Sequence, residues 1–487
     1  MLIKKDPTQF ASYLEDSSNL RGGNSDYVAI PETAAEISAI LSESSAKGTP
    51  VTVSGAGTGT SGGRIPYGGI VLSTERLVRI LDLHKTDSGG VIRSEAAVTV
   101  SRLKGEAEKA GFFYTYDPTE QSAFVGGTVA TNASGARSFK YGSTRSSVTA
   151  IKAYLASGDM IDIRRGDVTA KNGMLEFTAG KHAYALRLPS YSMPPTKSSA
   201  GYYVKPGMDL VDLFIGQEGT LACIVEASFK LLPAPDDILS CYAFFGTDAA
   251  AIGFASEAAQ RSMEKRGVSG SLDAMSLEYF DKASLDLLKE KYPQIPDAAA
   301  AVFFEQDIRG GGEDPVLSAW QALLEKYGVS AADTWIAMSE SKRGTLIEIR
   351  HSIGEAMNTL AKRNGMPKVT TDLAVPRDKF PEMMAYYRKT LDGCGIRNFL
   401  FGHIGDCHMH MNLVPSSGEE LERSRAIALD FVRKSIKLGG TVSAEHGVGK
   451  TRREYLKLLY GEAHMTEMFA IKKALDPGLI LGRDNIF

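Results

Sequence analysis

Residues 398–414, with the sequence NFLFGHIGDCHMHMNLV, constrain the fold more than any other part of the chain. Two apolar runs flank a Gly-Asp turn, and this pattern predicts a β-hairpin. Along the second run, a period of two places His408, His410 and Asn412 on one face and apolar residues on the other. His403 stands at the mouth of the turn, where it can lean toward His410. Polar groups packed this densely predict a ligand-binding site rather than ordinary core packing.

A second polar motif, SAEHGVG, places Glu445 next to His446 on a glycine-rich turn. Neutral imidazoles combined with a carboxylate suit zinc, iron or manganese. The two motifs together therefore predict a divalent metal site. No particular reaction follows from these residues alone.

Glycine is enriched, at 49 of 487 residues, and it is clustered. One cluster, GAGTGTSGG at residues 55–63, follows the predicted buried strand VTVSG and satisfies the G-x-G-x-x-G fingerprint of Rossmann folds. That fingerprint requires a helix at its end, whereas the continuation RIPYGGIVLS predicts another strand. We therefore reject a Rossmann fold. A glycine-rich loop between strands can still present backbone N–H groups to a diphosphate.

A run of small residues at 126–136 has two interpretations. It can let a large flat ligand approach the backbone closely. Alternatively, it forms a helix of small residues that packs under a sheet. The sequence leaves both open.

Composition excludes several classes of protein. A net charge of −3, without a long basic run, argues against a nucleic-acid partner. The four scattered cysteines suit a reducing compartment. The chain has neither an apolar signal core at its start nor an 18-residue apolar run that would predict a transmembrane segment. We expect a cytoplasmic protein, with peripheral membrane contact left open.

The order of predicted elements divides the chain near Pro235. Short strands and glycine-rich loops precede this point, whereas amphipathic helices alternate with strands after it. This pattern predicts a first domain at 1–235, a second α+β domain at 236–440, and a C-terminal segment at 441–487 that packs back on the body. We expect the first 30 residues to form a helix and an entry loop.

In this order, the motifs resemble the FAD-linked oxidases of the vanillyl-alcohol oxidase/para-cresol methylhydroxylase (PCMH) family, most of all its D-lactate, glycolate and D-2-hydroxyglutarate dehydrogenase branch. GAGTGTSGG is similar to the family's first diphosphate loop, and DPTEQSAFVGGTVATNASGARSFKYG to the segment that wraps the flavin. GHIGDCHMHMNLVP and SAEHGVGK are similar to its metal-binding hairpin and acidic-His motif. The resemblance implies an α+β fold, with a two-lobed PCMH-type FAD-binding domain and an α+β cap domain that contains an antiparallel sheet.

The resemblance also implies roles for individual residues. His403, His410 and Glu445 take the places of metal ligands, and His446 takes that of the catalytic base. Arg350 takes the place of an arginine that grips the substrate carboxylate, and Asn412 that of a substrate-contacting amide. The implied contacts to a dissociable FAD are Gly55, Gly57, Thr58, Gly59, Thr60, Ser61, Gly62, Pro118, Thr119, Gly126, Gly127, Thr131, Asn132, Ser134, Gly135, Tyr141, Gly142 and Ile224.

The chain departs from the family pattern at three places, and one of them is near the C-terminus, where Gly482-Arg483-Asp484 replaces the family's Asn-Pro-Gly. Cys407-His408 replaces the family's Gly-Asn, which leaves His408 as a further ligand, a substrate contact or a solvent-facing residue. Thr370 stands where the branch often has a lysine, with Lys368 two positions earlier.

The implied reaction is oxidation of a 2-hydroxy acid to the 2-oxo acid. The metal would lower the pKa of the hydroxyl, His446 would take the proton, and FAD N5 would accept the hydride. Two alternatives stay open: a redox-neutral flavoenzyme of the alkyl-dihydroxyacetone-phosphate synthase type, and a zinc hydrolase with structural glycine loops. Implied partners are an electron acceptor (a quinone, a cytochrome or an electron-transferring flavoprotein) and a second copy in a homodimer.

Overall fold

The computed structural model describes residues 1–310 and 313–487. The strands are β1 (Leu2–Lys4), β2 (Tyr27–Ile30), β3 (Val51–Ser54), β4 (Ile70–Ser73), β5 (Ile80–Thr86), β6 (Gly89–Glu95), β7 (Phe112–Phe113), β8 (Val148–Leu155), β9 (Met160–Arg164), β10 (Met174–Ala179), β11 (His182–Arg187), β12 (Ala222–Pro233), β13 (Asp237–Phe245), β14 (Ser276–Asp281), β15 (Ala300–Ile308), β16 (Thr334–Ala337), β17 (Val369–Thr370), β18 (Leu373–Ala374), β19 (Asn398–His403) and β20 (His408–Leu413). The helices are α1 (Ala34–Lys47), α2 (Val100–Lys109), α3 (Val125–Thr131), α4 (Ser138–Tyr141), α5 (Thr144–Ser147), α6 (Leu210–Phe214), α7 (Asp248–Glu264), α8 (Lys282–Lys289), α9 (Glu313–Lys326), α10 (Glu340–Asn364), α11 (Phe380–Asp392), α12 (Gly418–Lys437) and α13 (Arg453–Leu475).

Two larger sheets precede β13. The first has the order β1-β2-β4-β3, in which β2, β4 and β3 are parallel and β1 is antiparallel to β2. The second, antiparallel sheet has the order β5-β6-β12-β8-β9, and β7 pairs with β12. None of the described residues 55–69 between β3 and β4 is helical, which confirms the rejection of a Rossmann fold.

The third sheet is antiparallel and contains the predicted hairpin. Its order is β16-β13-β15-β14-β19-β20-β17, and β18 also pairs with β20. β19 and β20 pair His403 with His408 and Phe401 with His410, so the predicted hairpin and its period of two are confirmed. Sheets of both kinds packed with helices confirm the predicted α+β class.

Local capping explains where helix α1 begins and ends. Thr33 and Glu36 form a capping box at its start, and Gly48 ends it with a φ of 66°. The predicted helix within the first 30 residues is wrong, because this segment forms β1, two short 3-10 turns and β2. Leu2 pairs with Ile30 in the sheet, a tertiary contact that local propensity does not reveal.

The C-terminal segment returns to the first sheet. Val51 donates its N–H to Ile480 O at 2.7 Å and accepts from Gly482 N–H at 3.0 Å. The Asn485 amide donates to Gly63 O at 2.7 Å. The last residues of the chain therefore brace the glycine-rich loop that follows β3.

Candidate active site

The hairpin turn determines where His408 points. The turn is a short 3-10 segment, Ile404–Asp406, followed by Cys407 at a φ of 55°. Glycine adopts this left-handed conformation most easily, which accounts for the family's glycine at this position. His408 follows directly and is 0% exposed. The alternative of a solvent-facing His408 is therefore wrong.

The carboxylate of Glu445 lies among the histidines. Its Oε1 is 3.2 Å from His403 Nε2, 3.2 Å from His410 Nε2 and 3.5 Å from His446 Nε2. One ligand atom from each of His403, His408, His410 and Glu445 lies within 4.8 Å of the other three. Imidazole nitrogens and a carboxylate oxygen at this spacing form a donor set that suits a transition metal. The structure thus brings together the residues expected to bind a metal.

Two further carboxylates flank this cluster. Glu278 Oε1 lies 2.6 Å from His403 Nδ1. Asp372 Oδ1 lies 2.8 Å from His408 Nε2, and its Oδ2 lies 3.2 Å from His446 Nδ1. Histidines that bind metals commonly direct their second nitrogen to a carboxylate, which fixes the ring orientation. The sequence provides no local signal for Glu278, because it is 125 residues from His403.

Close charges shift the pKa values within the cluster. Burial alone would lower the pKa of His403, but the carboxylates of Glu278 and Glu445 outweigh it and raise it to about 9. Burial, assisted by the Lys197 ammonium, lowers the pKa of His408 to about 3. Burial would raise the pKa of Glu445, but His403 and Lys197 hold it well below its usual range. The cluster therefore keeps an ionised carboxylate at its centre.

Lys197 is a member of the site that the sequence analysis missed. Its Nζ donates to Glu445 Oε2 at 2.8 Å and lies 3.7 Å from Asp406 Oδ2, and its side chain is only 9% exposed. Ser134 Oγ also lies 3.3 Å from Glu445 Oε2. Lys197 lies in an irregular segment without periodicity, so no pattern in the sequence marks it.

Arg350 and Asn412 both lie outside the wall of the cavity that the glycine-rich loops and His403, Glu445 and His446 line. Arg350 extends from α10 and directs Nε and NH2 to Glu278 Oε2 at 3.2 and 2.8 Å. Its NH1 donates to Thr119 Oγ1 at 2.8 Å. Asn412 is 3% exposed, and its amide donates to His410 O at 3.2 Å. One edge of the Arg350 guanidinium is therefore paired with Glu278, and NH1 is bonded to Thr119, a residue of the cavity wall.

A cavity of about 360 Å³ joins the glycine-rich loops to the histidine cluster. His403, Glu445 and His446 lie in its wall. Most of the expected flavin contacts also line it: Gly55, Gly57, Thr58, Gly59, Thr60, Ser61, Pro118, Thr119, Gly126, Gly127, Thr131, Ser134, Gly135 and Ile224.

Some of the glycines in the cavity wall leave space for a ligand because they lack a side chain. A Cβ added at Gly59 or Gly127 would meet no atom within 4 Å, so it would project into the space that these residues line. Gly126, by contrast, packs on Ala96, where an added Cβ would lie 2.6 Å from the alanine Cβ. The run therefore forms a packed helix of small residues, as the second interpretation predicted, and close approach of a flat ligand at Gly127 stays a prediction. These residues fit a flat cofactor such as FAD.

Four expected flavin contacts lie outside the cavity wall. Asn132 Oδ1 accepts from Ser143 Oγ at 2.8 Å and from the backbone N–H of Arg145 at 3.1 Å, so it supports a turn. The other three are Gly62, Tyr141 and Gly142. Both glycines have positive φ values, 75° and 78°, which explains glycine there without a ligand.

The acidic-His motif also packs against the first glycine-rich loop. Lys450 donates its N–H to Ser61 O at 2.9 Å. A Cβ at Gly449 would lie 2.3 Å from Ser61 O, so only glycine permits this approach. The contact places Glu445 and the glycine-rich loop in one cavity.

Comparisons with known proteins agree with this architecture. A D-lactate dehydrogenase from Anaerostipes hadrus is 27% identical over 460 residues, covering 93% of this chain and 87% of the relative. The glycolate oxidase subunit GlcD of Bacillus subtilis is 29% identical over 469 residues, covering 95% and 89%. A solved structure of alkyldihydroxyacetonephosphate synthase has a TM-score of 0.66 at 13% identity, covering 99% of this chain and 82% of that one. At that identity it shows the fold alone, and it confirms the predicted PCMH-type architecture.

Family matches cover both parts of the chain. Residues 25–164 match the FAD binding domain, and residues 247–486 match the C-terminal domain of FAD linked oxidases. Within the described ranges, no helix has the length and apolar character needed to cross a membrane.

Because both family models match, the chain belongs to the FAD-linked oxidases.

Proposed function

We propose that this protein oxidises a 2-hydroxy acid to the 2-oxo acid, with FAD as the hydride acceptor. The proposal rests on one observation, that His403, Glu445 and His446 share a cavity with the glycine-rich loops. The names of the two relatives, a glycolate oxidase subunit and a D-lactate dehydrogenase, support this substrate class. The proposal covers substrates with side chains of three lengths, namely those of the D-lactate, glycolate and D-2-hydroxyglutarate types.

The residues divide the chemistry between them. When bound, FAD supplies the hydride acceptor, and a divalent metal held by His403, His410 and Glu445 supplies a Lewis acid that lowers the pKa of the substrate hydroxyl. His446 is 32% exposed at its side chain, whereas His403 is 5% exposed, so His446 can reach a substrate. Asp372 Oδ2 lies 3.2 Å from Nδ1 of His446, on the side of the ring away from Nε2, the nitrogen that would take the hydroxyl proton.

Arg350 supplies one donor for the substrate carboxylate. Its NH1 faces Thr119, a residue of the cavity wall, which supports this role. Asn412 stays a predicted substrate contact.

Reoxidation of the flavin requires an electron acceptor, and a quinone, a cytochrome and an electron-transferring flavoprotein are the predicted candidates. A homodimer and a cytoplasmic location also stay predictions.

Anaerobic mixing tests the proposal. The flavin-loaded protein is mixed with D- and L-2-hydroxy acids, with and without chelator, and the visible flavin absorbance is followed. We expect one stereochemical series to bleach the flavin and chelator to slow the bleaching. If no hydroxy acid reduces the flavin, the proposal is overturned. Binding of an acyl-dihydroxyacetone phosphate without net reduction would then favour the redox-neutral alternative, whereas the family assignment leaves no support for a zinc hydrolase.

A further inference from the structure

The hairpin carries one buried histidine beyond the proposed ligands His403 and His410. His408 is 0% exposed, and its ring centroid lies 5.1 Å from that of His403 and 4.5 Å from that of His410. Its Nδ1 lies 4.0 Å from Glu445 Oε2. The imidazole therefore borders the same central carboxylate as the two other rings.

The nitrogen of His408 that faces Glu445 lacks a partner. Among the described residues, neither Nδ1 nor Nε2 of His408 has a hydrogen-bond partner, although both atoms are fully buried. Buried polar atoms are nearly always satisfied, so an unpaired nitrogen directed into a cluster of donors indicates a missing ligand. Nε2 of the same ring lies 2.8 Å from Asp372 Oδ1.

His408 repeats the arrangement of His403. His403 directs Nδ1 to Glu278 and Nε2 to Glu445, whereas His408 directs Nε2 to Asp372 and Nδ1 toward Glu445. In both rings one nitrogen faces a flanking carboxylate and the other faces the centre. This carboxylate–histidine pattern is typical of rings that bind a metal.

We propose that Nδ1 of His408 is a fourth protein ligand of the metal, beside His403, His410 and Glu445. This inference rests on the metal site of the proposed function and makes it a set of three imidazoles and one carboxylate. The family pattern has asparagine at this position, so the fourth ligand belongs to this chain. Four protein ligands would close a tetrahedral zinc site, so this set favours a metal with more positions, such as manganese or iron.

Counting imidazoles at a bound metal tests the proposal without turnover. Full-length, flavin-loaded protein is stripped with chelator and reconstituted with Co²⁺, and X-ray absorption at the cobalt edge counts the coordinated imidazoles. We expect three in the unaltered protein and two in His408→Asn, whose affinity for Co²⁺ should fall by about 100-fold. His464→Asn is the matched control, because His464 lies on α13 and contacts Tyr460 O at 2.9 Å.

A count of two in the unaltered protein overturns the fourth ligand even if His408→Asn folds poorly. Two imidazoles in that protein, or equal Co²⁺ affinity in a folded His408→Asn protein, would overturn the fourth ligand. Three imidazoles in a protein whose flavin no hydroxy acid bleaches would overturn the proposed function and leave this inference standing. Metal-dependent bleaching with only two imidazoles in the unaltered protein would support the proposed function and overturn the fourth ligand.

Discussion

Glu278 Oε1 lies 2.6 Å from Nδ1 of His403, so a buried carboxylate supports the proposed metal site from behind. The other oxygen of Glu278 accepts two hydrogen bonds from Arg350 on α10. Burial would raise the pKa of Glu278, but His403 and Arg350 hold it at about 2. An ionised Glu278 therefore couples the hairpin to α10.

Replacing Glu278 with glutamine should weaken metal binding while the flavin stays bound. The amide keeps the shape but loses the charge that orients His403, so we expect affinity to fall by about 10–100-fold. Metal titration of the flavin-loaded protein measures this change. Glu355→Gln, which removes an exposed carboxylate from α10, is the control. Equal affinities in both variants would show that Glu278 serves the fold alone.

Arg350→Lys separates two roles of the guanidinium. Lysine keeps a positive charge near Glu278 but loses the planar group that can bind a carboxylate as well. We expect the KM for the hydroxy acid to rise about tenfold, because a charge-assisted hydrogen bond is lost, while flavin content stays constant. Arg363→Lys, at an exposed position on the same helix, is the control. An unchanged KM with a lower melting temperature would contradict the role in substrate binding.

His446→Gln should stop flavin reduction without loss of flavin or metal. The amide cannot take the hydroxyl proton, so we expect the rate of reduction to fall by about 100-fold or more. Rapid mixing measures this rate, and flavin and metal contents are determined on the same sample. A rate within a few-fold of the unaltered protein would rule out His446 as the base.

Gly127→Ala should release the flavin yet leave the fold intact. Gly127 lies in helix α3 and borders the cavity, so a methyl group fits the backbone but enters the ligand space. Gly105→Ala is the matched control in helix α2, where the added Cβ also meets nothing within 4 Å but lies outside the cavity. We expect the control to keep its flavin and gain about 0.5–1 kcal/mol of stability. Flavin-to-protein ratios and thermal unfolding check both results, and full flavin retention by Gly127→Ala would contradict the placement of the cofactor.

Glu218 should make stability depend on pH. Burial raises its pKa from 4.5 to about 7, although it accepts hydrogen bonds from the N–H groups of Val448 and Gly449. As the pH rises from 4.5, the unfolded chain releases this proton first, so the native state loses stability up to about pH 7, by about 3 kcal/mol. Glu218→Gln cannot titrate.

The stability advantage of the unaltered protein over Glu218→Gln should therefore shrink across this window. Thermal unfolding of both proteins at about pH 5 and about pH 8 measures the advantage. An advantage that stays constant or grows with pH would contradict the raised pKa. Other titrating groups are shared by both proteins and cancel in the comparison.

Local patterns predicted much of the site. A period of two predicted the hairpin and the shared face of His408 and His410, because strand geometry alternates side chains strictly. The absence of a helix signal after GAGTGTSGG excluded a Rossmann fold for an equally local reason. Both predictions concern residues close together in the chain.

Residues recruited from a distance were not predicted. Lys197 meets Glu445 across 248 positions, and Glu278 meets His403 across 125. The N-terminal helix was wrong for the same reason, since pairing of Leu2 with Ile30 overrides local propensity. No periodicity marks such contacts, because they form only when separate elements pack.

His408 illustrates the difference between what local sequence predicts and what long-range packing determines. The residue types alone indicate that an imidazole stands on the polar face of the hairpin where the family has asparagine, and that glycine-rich loops accompany it. That this imidazole is fully buried, with Asp372 near one nitrogen and Glu445 facing the other, is visible only in the folded chain. Burial and the partners of a side chain depend on long-range packing, whereas residue type and strand face are local properties of the chain.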